Sequence, residues 1–300
     1  MNASSSPTPP PSGAAGATPV FGRAGRNLPA AIGVGVGLGA YVIASLLFWP
    51  FGFVLLVGLA LALASVELHT ALLKVGMRSA VVPIVAGSVA IAIGSYVAGR
   101  QSPVVFSTTS VLLASLALTV LASLIWRMPG GAEGYVKDVA ASLLTIGYVP
   151  LLGSFAALIL AAPTDGVART VTFLLVVVMN DTGGYIAGVL FGRHPMAPRI
   201  SPKKSWEGFA GSVLLGTVAA VCMTVLGLHA PWWIGVLLGV CLVAVATCGD
   251  LVESMVKRDL GIKDMSSFLP GHGGVMDRLD SLLLAAPVAW LIMYILVPGG

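Results

Sequence analysis

The sequence predicts an all-α, polytopic integral membrane protein with about nine transmembrane helices. Hydrophobic residues make up 57% of the chain and charged residues only 9%, which is far more apolar than a typical soluble domain. Apolar runs of about 20 residues recur along the chain, and a helix of that length spans the hydrocarbon core of a bilayer. The run 110–126, SVLLASLALTVLASLIW, also lacks the polar face that a soluble helix would carry.

A polar tail precedes the apolar runs. Residues 1–27 are rich in Pro, Ala, Ser and Gly and show no apolar periodicity, so we expect a disordered cytoplasmic tail. We expect amino-terminal transmembrane helices over 28–166 and a catalytic transmembrane region over 167–300. The candidate spans are 28–48, 51–66, 80–98, 108–126, 139–161, 170–190, 208–228, 232–249 and 281–297. No internal repeat is apparent, so nothing supports an inverted-repeat transporter.

The basic residues predict the orientation of these spans. If the amino terminus is cytoplasmic, every Lys and Arg except Arg100 and Arg169 falls in or beside an inner segment. This bias agrees with the positive-inside rule, and it places the loops 191–207 and 250–280 on the cytoplasmic side of the cell membrane. The net charge of +4 then follows from topology and from attraction to anionic lipid, so no nucleic-acid partner is needed to explain it.

Charge is concentrated just before the last span. Four polar residues there have relative spacings of 0, 3, 4 and 7, which puts them on one face if the eighth span continues as a helix. These residues are Asp250, Glu253, Ser254 and Lys257. Two carboxylates, a hydroxyl and an ammonium on one face can hold a divalent cation and a phosphate beside it. The alternative is a solvated helix end that carries only a Glu253–Lys257 ion pair.

A glycine-rich turn, PGHGGVMDRLDS, follows at 270–281. Gly271, Gly273 and Gly274 permit backbone conformations in which successive N–H groups converge on an anion. We expect the next helix to begin near Val275, and its positive end would add to the same anion site.

Charged residues surround this turn. Asp277 and Asp280 lie in the first turn of the expected helix, where acidic residues also serve as ordinary caps. Arg278 adds a cation, and more charge is present than capping requires. His272, between glycines, is either a phosphate contact or an ordinary loop histidine.

An acidic residue interrupts the sixth span. Asn180, Asp181 and Thr182 lie within an apolar run, and an ionisable side chain at that depth costs a few kcal/mol unless it faces protein or water. We therefore expect a functional role for Asp181. The alternative is a buried polar group that a neighbouring side chain satisfies.

The inner loop after this span contains RISPKKSWEG, residues 199–208. Its hydroxyls and adjacent lysines precede a helix expected to begin near Trp206, and this pattern suits a polyphosphate. The residues are Ser201, Lys203, Lys204 and Ser205. The alternative is simple positive-inside anchoring beside an interfacial Trp. No GxxxxGK[ST] motif occurs, which excludes a P-loop nucleotide site.

All of these groups meet the cytoplasmic leaflet, which indicates a phosphoryl- or nucleotidyl-transfer site. The segment 254–280, SMVKRDLGIKDMSSFLPGHGGVMDRLD, resembles the signature of the phosphatidate cytidylyltransferases (CDP-diacylglycerol synthases). The positions that fit are Ser254, Lys257, Arg258, Lys263, Asp264, Ser266, Pro270, His272, Gly273, Gly274, Asp277, Arg278 and Asp280. NDTGGY and SPKKSWEG are also similar to family segments, so the resemblance covers 176–281.

The resemblance implies that CTP and phosphatidate react to give CDP-diacylglycerol and diphosphate in phospholipid biosynthesis. Magnesium would be required, with a second cation as an open alternative. The implied catalytic residues are Asp250, Asp277, Lys257 and Arg278. The implied metal ligands are Asp250, Asp277, Glu253 and Asp181. The implied substrate-binding residues are Ser201, Lys203, Lys204, Ser205, Ser254, Arg258, His272, Gly273 and Gly274.

Two other functions stay open at this point. A CTP-dependent lipid kinase would use similar groups but transfer the γ-phosphoryl group. A cation- or proton-coupled transporter would use Asp181 as its intramembrane site and would leave the charged last loop unexplained. A homodimer is among the assembly states that the sequence allows.

Overall fold

The computed structural model describes residues 28–101, 106–266, 268 and 273–298, so the expected tail at 1–27 lies outside it. Within this part of the chain the protein is almost entirely helical. The helices are α1 (Leu28–Phe48), α2 (Pro50–Leu73), α3 (Val81–Gly99), α4 (Thr108–Arg127), α5 (Tyr135–Ile146), α6 (Leu152–Leu160), α7 (Gly166–Phe191), α8 (Trp206–Leu226), α9 (Trp232–Asp259) and α10 (Met276–Leu296). A π-helical turn, Gly147–Leu151, joins α5 to α6.

The fold class predicted from the sequence is confirmed. Among the described residues, eight helical segments are long and apolar enough to cross a membrane, and Tyr135–Leu160 counts as one of them. Helix α1 contributes a shorter apolar segment, Ile32–Phe48. Each of the nine candidate spans therefore corresponds to a helix. The chain is an integral membrane protein.

The second candidate span, 51–66, was too short. Helix α2 continues to Leu73, because Leu68 and Leu72 extend its buried face beyond the polar residues that lower the local hydropathy. Glu67 consequently lies inside a membrane helix and is itself buried.

A short β-hairpin between α7 and α8 was not predicted. Strand β1 (Pro195–Ala197) pairs antiparallel with β2 (Ser201–Ser205), with Pro195 opposite Ser205. The hairpin carries the adjacent lysines of the inner loop to the start of α8.

The last four helices pack in sequence order, and this packing positions the charged residues. Helices α7, α9 and α10 share an apolar core that contains Phe173, Leu238 and Ala286. A side chain at Gly249 would place its Cβ 2.5 Å from the backbone oxygen of Asp280, so the backbones of α9 and α10 touch at this level. Helix α10 also contacts α2 and α6, which joins the amino-terminal helices to the carboxy-terminal ones.

Arg169, one of the two basic residues expected on the outer side, is buried and joins the start of α7 to the end of α10. Its side chain is 3% exposed and donates to Asp165 Oδ1 at 2.6 Å. It also donates to the backbone oxygens of Met293 and Val297, at 2.7 and 3.3 Å. Arg169 thus donates to two carbonyl groups at the carboxy-terminal end of α10, where helices leave backbone acceptors available.

Candidate active site

A polar cavity of about 340 Å³ lies between α7, the hairpin, α8 and α9. It brings together two segments singled out in the sequence, because α7 contributes Asn180 and Asp181 while the hairpin contributes the basic group. The side chains from the hairpin and the turn into α8 are Ser201, Lys203, Lys204 and Ser205. Asp250, from α9, completes this wall.

Lys204 and Asp250 form an ion pair across the cavity, 46 residues apart in the sequence. Both side chains keep about a quarter of their surface exposed, so ligands can reach them. Lys203 is exposed beside them. Ser205 caps α8, because its hydroxyl accepts a hydrogen bond of 3.1 Å from the amide of Gly208.

Asn180 orients the acidic residue of α7. Its side-chain amide donates to Asp181 Oδ1 at 2.9 Å, and its backbone oxygen accepts a hydrogen bond from Ser212 at 2.7 Å. Asn180 Oδ1 is buried and has no partner among the described residues. Asp181 itself is exposed and lines the cavity, as expected for a charged group that faces water.

A second charged group connects α9 to α10. Lys257 Nζ lies 2.5 Å from Glu253 Oε2 and 2.8 Å from Asp277 Oδ1. Glu253 is 1% exposed, and its other oxygen, Oε1, has no hydrogen-bond partner in the described part of the chain. Burial of two carboxylates is favourable here only because the ammonium lies between them.

Asp277 is also tied to the loop that precedes α10. Its Oδ2 accepts hydrogen bonds from the amides of Met265, at 3.0 Å, and Gly274, at 2.8 Å. Both oxygens of Asp277 therefore have protein donors, and a metal ion would have to compete with them.

Asp280 was not among the implied metal ligands, yet its carboxyl group interacts electrostatically with that of Asp250. The amide of Ser281 donates to Asp280 Oδ1 at 2.7 Å. The pairing depends on the close approach of α9 and α10 at Gly249. No spacing along the chain encodes that approach.

The acidic residues fit a magnesium ion that arrives with a phosphate ligand. Among the described residues, no group of three or more His, Cys, Asp or Glu side chains is already arranged to hold a metal. Magnesium commonly uses one or two carboxylates and completes its shell with water and substrate oxygens. Asp250 and Asp280 would supply such a pair, since two carboxylates that interact electrostatically need a cation or a shared proton to offset their repulsion.

Three of the remaining implied residues lie on α9 or at the start of α10. Ser254 is partly buried on α9, and Arg258 is exposed near its end. Arg278, exposed at the start of α10, interacts electrostatically with Asp181. His272 lies outside the described residues.

The glycine turn has an arrangement that the sequence did not predict. Gly273 has a positive φ of 85°, as a tight turn requires, and the amide of Gly274 donates to Asp277. The next two amides, of Val275 and Met276, donate to the carboxylate of Glu67. The carboxylate of Glu67 thus occupies the anion site that was expected at the start of α10.

Glu67 was missed because the second span was ended one residue before it. A lone carboxylate inside an apolar helix is costly unless a partner satisfies it. With the correct end of the second span, the sequence would therefore have indicated Glu67 as a residue with a specific role.

Comparisons with known proteins agree on one family. The model of the cytidylyltransferase family matches residues 29–296. The phosphatidate cytidylyltransferase of Mycobacterium leprae is 42% identical over 290 residues, which cover 91% of this chain and 90% of that protein. That of Mycobacterium tuberculosis (strain H37Rv) is 42% identical over 287 residues, covering 91% and 84%. That of Staphylococcus epidermidis (strain RP62A) is 35% identical over 157 residues, covering 52% and 59%.

Proposed function

The chain belongs to the cytidylyltransferase family, and on that basis we propose that it transfers the cytidylyl group of CTP to phosphatidate. The products are CDP-diacylglycerol and diphosphate, a step of phospholipid biosynthesis. The enzyme is a membrane-embedded nucleotidyltransferase, which suits a reaction between a soluble nucleotide and a lipid.

The observation that carries this proposal best is the Lys204–Asp250 pair. It joins the basic hairpin to the acidic face of α9 within one cavity, beside Asp181. CTP and phosphatidate both carry negative charge and repel each other, so the site must neutralise phosphates before they can react. The lysines of this cavity can neutralise phosphate charge directly, and its carboxylate can do so through a bound metal ion.

The basic residues bind and orient the phosphates. Lys203 and Lys204 contact the polyphosphate of CTP from the hairpin, with Ser201 and Ser205 as hydroxyl donors. Lys257 and Arg278, at the boundary between α9 and α10, stabilise negative charge that develops during transfer. Ser254 and Arg258, on α9, line the approach to this group.

Asp250 and Asp280 would hold magnesium in this proposal, and Asp181 would add a further oxygen at the cavity wall. The ion would neutralise part of the phosphate charge when bound. Asp277 and Glu253 remain predicted ligands, and the unpartnered Oε1 of Glu253 is the group that would serve a second cation.

The chemical step requires positioning more than proton transfer. An oxygen of the ionised lipid phosphate attacks the α-phosphorus of CTP, the bond to the β-phosphate bridging oxygen breaks, and diphosphate leaves with that electron pair. No general base is needed, because the nucleophile carries no proton. The residues therefore act through alignment and electrostatics.

The proposal includes the orientation in the membrane. The cavity and the start of α10 lie at the helix ends that the positive-inside rule assigns to the cytoplasm of the cell, where CTP is found. Modification of single cysteines placed at 76 and 229 by a membrane-impermeant reagent tests this orientation, because only position 229 would react in intact cells. A homodimer stays a prediction, which light scattering of the protein–detergent complex tests.

The experiment uses purified protein in detergent–phosphatidate micelles with magnesium and α-labelled CTP. Label in the lipid phase together with released diphosphate supports the proposal, and Asp250→Asn should abolish both. Asp259→Asn, an exposed acidic residue on the same helix, is the matched control. Unlabelled lipid with soluble labelled CDP would instead identify a kinase, and intact CTP would contradict both enzymes.

A further inference from the structure

Glu67 connects the amino-terminal helices to the start of α10. Its side chain is 7% exposed on α2. Oε1 accepts hydrogen bonds from Ser266 Oγ at 2.6 Å and from the Val275 amide at 2.9 Å. Oε2 accepts one from the Met276 amide at 2.8 Å, across 209 residues of sequence.

These contacts fulfil a specific need of α10. The first amides of a helix have no intrahelical acceptor, and a negative charge near them is favourable. Side chains next to the helix usually supply this group, as Ser205 does for α8. For α10 the negative group is Glu67 of α2, which is distant in the sequence. The start of α10 is therefore fixed relative to α2.

The approach of Glu67 also explains why residue 274 is glycine. A Cβ at Gly274 would lie 2.6 Å from Glu67 Oε2 and 3.0 Å from Asp277 Oδ2. Any side chain at this position must displace one of the two carboxylates. Gly274 is therefore required by the carboxylate pair around it, whether or not it also contacts phosphate.

The loop before α10 is held by the same two carboxylates. Met265 donates its amide to Asp277, and Ser266 donates its hydroxyl to Glu67. Asp277 in turn holds Lys257 of α9. One hydrogen-bonded network thus extends from α2 through the loop and α10 to α9.

We propose that Glu67 is a positioning residue for nucleotidyl transfer: it fixes the start of α10, so that Asp277 and Asp280 are held in place for Lys257 and for the metal ion. Glu67 does not contact substrate, because its oxygens are buried and already accept three protein hydrogen bonds. This inference rests on the proposed roles of Asp277 and Asp280.

The test compares Glu67→Gln with the wild-type enzyme. Gln keeps the size of the side chain but loses the charge, and its NH2 group faces an amide that also donates. We expect kcat to fall about 10- to 100-fold, as for loss of charge-assisted hydrogen bonds, with little change in KM for CTP. The magnesium concentration for half-maximal activity should rise by about tenfold.

A second readout does not depend on activity. Hydrogen exchange in magnesium-free protein should become faster at Val275 and Met276 in Glu67→Gln. The matched control is Asp138→Asn, because Asp138 is a 4%-exposed carboxylate that accepts from Arg78 and Arg127 outside the site. It should speed exchange around Arg78 and lower the melting temperature while leaving the magnesium dependence unchanged.

Two further variants cover the case in which Glu67→Gln does not fold. Ser266→Ala removes one donor to Glu67, and Gly274→Ala pushes against it, so both should raise the magnesium requirement in the same direction. If the folded variants have the kcat, the magnesium dependence and the hydrogen-exchange rates of the wild-type protein, the proposal is overturned. Absence of cytidylyltransferase activity in the wild-type protein would instead refute the proposed function. Hydrogen exchange at Val275 and Met276 would then still decide whether Glu67 fixes the start of α10.

Discussion

Lys257 Nζ lies 2.8 Å from Asp277 Oδ1 and joins α9 to α10 across 20 residues of sequence. The same ammonium also lies 2.5 Å from Glu253, which is almost fully buried. Lys257 therefore stabilises two neighbouring carboxylates in the folded protein, and in the proposed function it also binds a phosphate. A phosphate that approaches Lys257 must share it with Asp277 or replace Asp277 as its partner.

Replacing Lys257 tests this double role. Lys257→Met should lower kcat/KM by about 100-fold or more and destabilise the protein by about 3–5 kcal/mol, because it leaves buried carboxylates without a cation. Lys257→Arg keeps the charge and should recover most of the stability but little activity, since its planar group cannot reproduce the contacts of an ammonium. Lys74→Met, at an exposed position just after α2, is the control. Equal activity in Lys257→Met and Lys74→Met would refute the role of Lys257.

The electrostatic interaction between Asp250 and Asp280 predicts which residues control magnesium affinity. Asp280→Asn should raise the magnesium concentration for half-maximal activity by about 10- to 100-fold, since it removes one of the two carboxylates. The effects of Asp250→Asn and Asp280→Asn should not be additive in the double variant, because both act through one ion. Magnesium titrations of initial rates measure both effects. An Asp280→Asn enzyme with wild-type magnesium dependence would assign the ion to other carboxylates.

Local patterns predicted the helices and their starts but not the contacts between them. The apolar runs indicated each span, and the start of α8 at Trp206 and of α10 near Val275 followed from the residues next to them. The spacing of Glu253 and Lys257 predicted that they share a helix face, because four residues make about one turn. Such periodicity describes one helix at a time.

The rest of the site depends on tertiary packing. Asp280 meets Asp250 only because α9 and α10 touch at Gly249, and Glu67 reaches α10 only because α2 packs against it. The hairpin at 195–205 was missed since its strands are short and carry no alternating apolar pattern. The sequence therefore indicates candidate charged and polar residues but not which of them are neighbours in the fold.

Arg169 offers a contrast with the site, because its role is structural. Arg169→Met should destabilise the protein by about 2–4 kcal/mol, since it removes three charge-assisted hydrogen bonds from a buried position. The folded fraction should keep the wild-type kcat and KM. Arg100→Met, which loses a cation–π contact with Tyr96 at 5.7 Å, should cost no more than about 1 kcal/mol. Denaturation in detergent, followed by assays of the folded protein, separates these outcomes.

The two hairpin lysines should behave differently although they are adjacent. Lys203 is exposed on the cavity wall, so Lys203→Met should mainly raise KM for CTP, by about 3- to 10-fold, with a salt-dependent effect. Lys204 is paired with Asp250, so Lys204→Met should lower kcat more strongly, by about 100-fold.

The Lys204 variant also changes magnesium binding in a defined direction. In the ligand-free protein Lys204 competes with a cation for Asp250, so removing it should lower the magnesium concentration that gives half-maximal activity, even though the maximal rate falls. Lys203→Met, which leaves the pair intact, should not change this concentration. A higher magnesium requirement in Lys204→Met would contradict this competition. It would mean that Lys204 holds Asp250 in the position that binds the ion, so that the ion pair belongs to the catalytically active conformation.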